Sequence, residues 1–189
     1  MDNKYLGELG TDVYDLTLNE MRLSHIRYTA AQTVAADAEA LLNDFELGAA
    51  GLEAKTFLAQ PPYARNITIV CSATQTGKAV VHGFNIAGEP ITEDFTLTSA
   101  TPVVGTKAFK TVTKIVWPVK AGSETADVGF GQLIGLPLKL SAAPLCFAMN
   151  DGVVDTAPAI TADADELEKN VVDFNGSLDG SVMDLFMVL

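Results

Sequence analysis

The chain has 189 residues, 48% of them hydrophobic and 19% charged, with a mean hydropathy of +0.23; composition this apolar excludes a wholly disordered chain and fits one large domain. Its formal net charge of −12 disfavours nucleic acid, whose phosphates demand a clustered positive surface. The opening residues 1–10 have neither a basic nor an apolar stretch, and no apolar run approaches the ~20 residues that cross a bilayer, so neither a secretory signal nor a membrane partner is expected.

Residues 1–28 mix polar, acidic and aromatic side chains without a sustained period, which predicts an extended arm or an edge strand. Residues 29–47 are Ala-rich, with Leu41, Leu42 and Phe45 on one side, and predict a helix by propensity. The character changes at Gln60. Between Ala64 and Trp117 there are 10 Thr, 7 Val and 5 Ile, β-branched residues that fit a pleated sheet and lose freedom in a helix. Strands are expected over residues 65–72, 79–87, 91–98 and 111–118, with Gly88 supplying the turn before Pro90. In the third of these, Ile91, Phe95 and Leu97 share one face, and Thr92, Asp94, Thr96 and Thr98 the other, as in a sheet with one dry side. Phe109 and Val112, three apart, predict a short helical turn.

Further strands are expected over residues 127–131, 134–140, 145–149, 153–160, 171–174 and 182–189. Asn150, Asp151 and Gly152 form one turn, and residues 175–180 a second hairpin loop, while Pro137 and Pro144 belong at strand ends or edges. About nine to eleven short strands with regular turn signals predict a mainly β fold, an antiparallel β-sandwich or jelly roll. The division expected is an N-terminal arm and connecting segment over 1–59, and a β-sandwich domain over 60–189. In the last strand Met183, Leu185, Met187 and Leu189 occupy one face, with Val182, Asp184, Phe186 and Val188 on the other. Apolar residues on both faces fit a central strand or an edge covered by another subunit.

Catalytic constellations are thin, and no catalytic residue is assigned. His25 and His82 are the only histidines, and His82 lies in a strand pattern beside Gly83. No Gly-x-Ser-x-Gly elbow or P-loop occurs; Gly129 and Gly131 imitate part of a dinucleotide pattern, but a strand-to-turn glycine explains them better. The acidic cluster Asp163, Asp165, Glu166 and Glu168 lacks the glycine-centred loop of a calcium site and reads as a solvated loop or helix start. Cys71 and Cys146 lack metal-ligand spacing and read as buried thiols, so no metal and no cofactor is expected. Charge is uneven: residues 61–120 hold 6 basic and 3 acidic residues, whereas residues 121–189 hold 2 basic and 11 acidic. Ordinary solvated surface accounts for this, and an orienting role between identical subunits is the sharper alternative.

Several runs resemble a family of tailed-bacteriophage virion structural proteins: Gln60-Pro-Pro-Tyr-Ala-Arg-Asn-Ile-Thr68, Asn85-Ile-Ala-Gly-Glu-Pro-Ile-Thr-Glu93 and Val104-Gly-Thr-Lys-Ala-Phe-Lys-Thr-Val-Thr113, then Val128-Gly-Phe-Gly-Gln-Leu-Ile-Gly-Leu-Pro137 and Asn170-Val-Val-Asp-Phe-Asn-Gly-Ser-Leu-Asp-Gly180. The resemblance covers residues 60–189 and consists mostly of turns and strand starts, so it speaks to fold more than to activity. It implies a non-enzymatic virion protein, made in the bacterial host cytoplasm and placed on the capsid surface. There it would act as a decoration or cement protein that binds the major capsid protein and associates with itself as a homotrimer. The alternative is a head-fibre or tail-associated module that contacts the host surface.

Overall fold

The Thr-, Val- and Ile-rich stretch becomes strand where the pattern places it. The computed structural model describes residues 22–72, 75–98, 100–120, 123–176 and 178–189. Among them the strands are β1 (Leu23–Tyr28), β2 (Asp37–Glu46), β3 (Glu53–Ala54), β4 (Arg65–Cys71), β5 (Thr76–Phe84), β6 (Pro90–Thr98) and β7 (Val103–Phe109). They continue with β8 (Thr111–Val116), β9 (Thr125–Gly135), β10 (Leu145–Asn150), β11 (Val153–Val154), β12 (Ala159–Thr161), β13 (Val171–Asp173) and β14 (Met183–Val188). A 3-10 turn spans Leu167–Lys169.

These strands form three antiparallel sheets. The first has the order β1-β14-β10-β11, the second β12-β13-β9-β4-β7 with β2 also paired to β9, and the third β3-β8-β5-β6. The second and third sheets enclose one core, with Leu41, Ile67, Ile69 and Val128 from one side and Val81, Phe95, Ile115 and Trp117 from the other. A second core lies under the first sheet, where Tyr28, Ala148, Met183, Leu185 and Met187 meet Ile134, Val172 and Phe174. The fold is a mainly β sandwich, as the alternation implies. β6 follows the expected faces, with Ile91, Phe95 and Leu97 buried and Thr92, Asp94, Thr96 and Thr98 turned outward. Strands from both sides of residue 60 share all three sheets: β1 pairs with β14, β2 with β9 and β3 with β8. Of the expected arm, residues 1–21 lie outside the described residues, and residues 23–28 form an edge strand.

Four local expectations are corrected by tertiary context. The helix expected over residues 29–47 is largely strand β2, whose register on β9 shifts twice and whose Asp44 has φ 48°. Its small residues explain this: Ala38 lies against Gly129, where an added Cβ would come within 1.7 Å of Asp37 O and 2.7 Å of Ala38 Cα. Pairing with β9 outweighs a helix preference worth only tenths of a kcal/mol per residue. The helical turn at Phe109 is instead the point where the chain leaves the second sheet for the third, with Lys110 N donating to Phe84 O at 2.8 Å. Of the two strands expected over residues 127–131 and 134–140, the first continues through Gly131 as β9, which ends at Gly135, and residues 136–140 are not strand; the glycines admit close neighbours rather than ending it, and a Cβ on Gly131 would meet the Asn66 amide at 2.6 Å. Residues 175–180 join β13 to β14, which lie in different sheets, so this loop is a crossover and not a hairpin.

Polar side chains, several of them buried, tie the strands together, and they cluster in the runs that carry the resemblance. Gln60 clamps Val112 from both sides, accepting its N–H at 2.8 Å and donating to its carbonyl at 3.0 Å. Arg65, fully buried, donates through Nε to Gly131 O (2.8 Å) and through Nη1 to Val34 O (3.1 Å), and lies 5.1 Å over the Phe130 ring. Its neighbour Asn66 bridges β7 and β9, donating to Gly105 O at 3.1 Å and accepting from Leu133 N at 3.0 Å. Asn85 accepts from the N–H groups of Ala87 and Glu89, both at 3.0 Å, and so shapes the β5–β6 turn in which Gly88 takes φ +81°.

Candidate interaction surface

The first sheet has an ordinary inner face and an unusual outer one. Alternation turns Ile26 and Tyr28 of β1, Ala148 of β10, and Met183, Leu185 and Met187 of β14 into the second core. The other residues of the same strands then face away from it, and register gathers them into three rows. Leu23, Val188 and Leu145 align in the first; His25, Phe186 and Phe147 in the second; Arg27, Asp184, Met149 and Val154 in the third. Most of this face is open: Leu145 is 78% exposed, Leu23 69%, Val154 69% and Phe147 45%. Each large apolar side chain left in water forgoes roughly 1.5–3 kcal/mol of burial, which makes this contiguous set a candidate contact surface.

The middle row is ordered by ring stacking. The Phe186 ring lies between His25 (centroids 4.4 Å, planes 4° apart) and Phe147 (4.6 Å, 8°). His25 Nε2 donates to Asp184 Oδ1 at 2.7 Å, and Arg27 Nε lies 3.7 Å from the same oxygen. The Asp184 carboxylate is thereby held by two basic side chains of its strand neighbour β1. The end of the chain is anchored beside it: Arg22 and Leu189 exchange backbone hydrogen bonds at 2.7 Å in both directions, so the C-terminus is held as the last strand's pattern implies. β14 is central, between β1 and β10, the first of the two placements its doubly apolar sequence allows.

The other residues singled out from the sequence are dispersed. His82 lies in β5 of the third sheet, apart from the sheet that holds His25. In the acidic cluster, Asp163 Oδ1 accepts from the N–H groups of Asp165 (2.9 Å) and Glu166 (2.8 Å), and these bonds hold its carboxyl below the usual range. Glu166 and Glu168 meet Lys107 Nζ at 2.7 and 3.1 Å, and Lys169 also pairs with Glu166, so the lysine contacts lower the Glu166 carboxyl. The cluster works as a loop lock that joins the 3-10 turn to β7. Asn170 completes it, donating to Asp163 O (2.7 Å) and Glu166 O (2.9 Å) while accepting from Leu140 N (3.0 Å). Among the described residues no group of three His, Cys, Asp or Glu side chains is placed to hold a metal ion. Cys71 and Cys146 are free thiols, Cys71 buried and Cys146 half-buried; burial, with Glu124 and Asp127 nearby, pushes the Cys71 thiol up to about 11. Among the described residues no helix is long and apolar enough to cross a membrane.

No family model matches this chain, and neither a curated protein nor a solved structure matches it. Sequence reasoning singled out β14 but passed over β1 and β10, which complete the face. The signal was present in Leu145-Cys-Phe-Ala-Met149, where apolar residues stand at every position and so at both faces of a strand.

Proposed function

We propose that this chain is a non-enzymatic structural subunit of a larger assembly, acting as a decoration or cement protein on the head of a tailed bacteriophage. The observation that carries the structural part is the outer face of the first sheet: rows of exposed apolar side chains on a body whose strands are tied by the buried Arg65 and Asn66. A surface of this kind is stabilised by being covered, and a rigid, strand-tied body suits a protein that clamps other subunits. The phage part is supported by the runs around Arg65, Asn85, Gly129 and Asn170. Each is occupied by a turn, a strand-crossing amide or a close backbone approach, the kind of position through which a fold is retained.

The test is to propagate tailed phage with an epitope-tagged copy of this chain and image the purified particles by negative stain with a labelled antibody. Label distributed over the heads, together with heads that withstand heating better when the protein is present, is the expected result. Label confined to the tail would replace the cement reading with a host-contacting module. Its absence from purified particles would overturn the virion reading altogether.

A further inference from the structure

We propose that the outer face of the first sheet is a self-association surface, covered in solution by the same face of a second copy to give a face-to-face dimer. Register, charge and exposed area of that face carry it, independently of the phage reading.

Three properties favour a second copy over another occupant. The first is symmetry. A two-fold axis lying between the two sheets, along β14, would carry β1 of one copy over β10 of the other and leave each row opposite itself. Leu23 would then meet the partner's Leu145, Val188 would meet its own counterpart, and the His25–Phe186–Phe147 stack would lie on a second stack. This is the aligned packing of a β-sandwich, with sheets about 10 Å apart and side chains interdigitated, and an isologous contact needs this self-matching.

The second property is charge. The chain carries a net −12, so two copies repel over most of their surface. Among the described residues, the one side-chain carboxylate in the rows of this face, Asp184, is matched by Arg27 and hydrogen-bonded by His25. Approach by these rows therefore brings a paired carboxylate into the contact, which offers a strongly basic partner little to attract it.

The third is size. Leu23, Leu145, Phe147 and Val154 are between 45% and 78% exposed, which amounts to roughly 450 Å² of apolar side chain, within the range of the largest patch on a typical monomer. With the partly buried Met149, Phe186 and Val188 between them and the half-exposed His25 and more exposed Arg27 at the rim, the face comes near the ~800 Å² that each partner of a standard interface covers. Closed association through it alone gives a dimer; the trimer expected from the resemblance would need a second, heterologous contact.

Sedimentation velocity of the full chain at tens of micromolar tests this. The expected species has about twice the 20.0 kDa chain mass, and raising salt from low to physiological strength tightens it, because screening removes repulsion between the acidic bodies. Phe147→Lys and, independently, Leu145→Lys should weaken the dimer at least tenfold while leaving the far-ultraviolet circular dichroism unchanged. Leu58→Lys, at a side chain 74% exposed outside this face, should leave the dimer intact and controls for a general charge effect. A monomer at every concentration overturns the proposal. So does a trimer, or any oligomer that survives both substitutions.

Discussion

The wet sides of β6 and β14 obey the same alternation and end in opposite chemistry. In β6 the outward residues are Thr92, Asp94, Thr96 and Thr98, which water solvates. In β14 and its neighbours they include Phe186, Val188, Leu145 and Phe147, which water does not. Period-2 patterning says which residues share a face but not what the face meets; composition of the outward row answers that. The outer side of the third sheet carries hydroxyls and carboxylates, whereas the first sheet leaves apolar rows open to water. Internal ties and open apolar surface thus lie in different places: buried locks around β4 and β9, and rows of exposed side chains on the first sheet.

The widest separation between the two regions should come from Arg65. Arg65→Ala strands the carbonyls of Gly131 and Val34 and leaves a void beside Phe130. It is expected to cost about 4 kcal/mol, as unpaired buried acceptors and a cavity together do. Urea unfolding, read as a shift in midpoint at unchanged slope, measures it. A loss below about 1 kcal/mol would show that the lock contributes little and would blur the contrast.

A pair of glycines sharpens it next. At Gly129 a Cβ would collide with the backbone of Asp37 and Ala38, and Gly129→Ala is expected to cost about 3 kcal/mol, because backbone cannot yield as a side chain can. At Gly88 a Cβ meets nothing within 4 Å, so the only penalty there is the φ of +81°. Gly88→Ala should therefore cost about 1 kcal/mol. Equal losses in thermal unfolding would contradict the assignment of the first to crowding and the second to backbone conformation.

The smallest effect belongs to the open face. Leu145→Ser, measured at a concentration low enough to keep the chain monomeric, should change stability by no more than about 0.5 kcal/mol, the usual result for an exposed position. A loss several times larger would mean that this leucine already packs within its own domain, and the face would then be an ordinary core edge.

What the sequence by itself determined is the class of fold and much of the punctuation. β-branched density marked the strands, alternation divided the faces of β6 and β14, and Gly88, Asp151 and Gly152 announced their hairpins. All of these are local or period-2 properties of one segment. Tertiary structure decided the rest, because those outcomes depend on partners far away in sequence. Residues 37–46 became strand only because β9 presents Gly129, which admits their backbone. The loop over residues 175–180 became a crossover because its two strands joined different sheets. The open apolar face was legible in part, through the doubly apolar β14. Its width was not, since Leu23 meets Val188 and Phe147 meets Phe186 only after strands distant in sequence pair in register. A pattern within one strand says that a side chain faces outward; only the pairing of strands says how many others stand beside it.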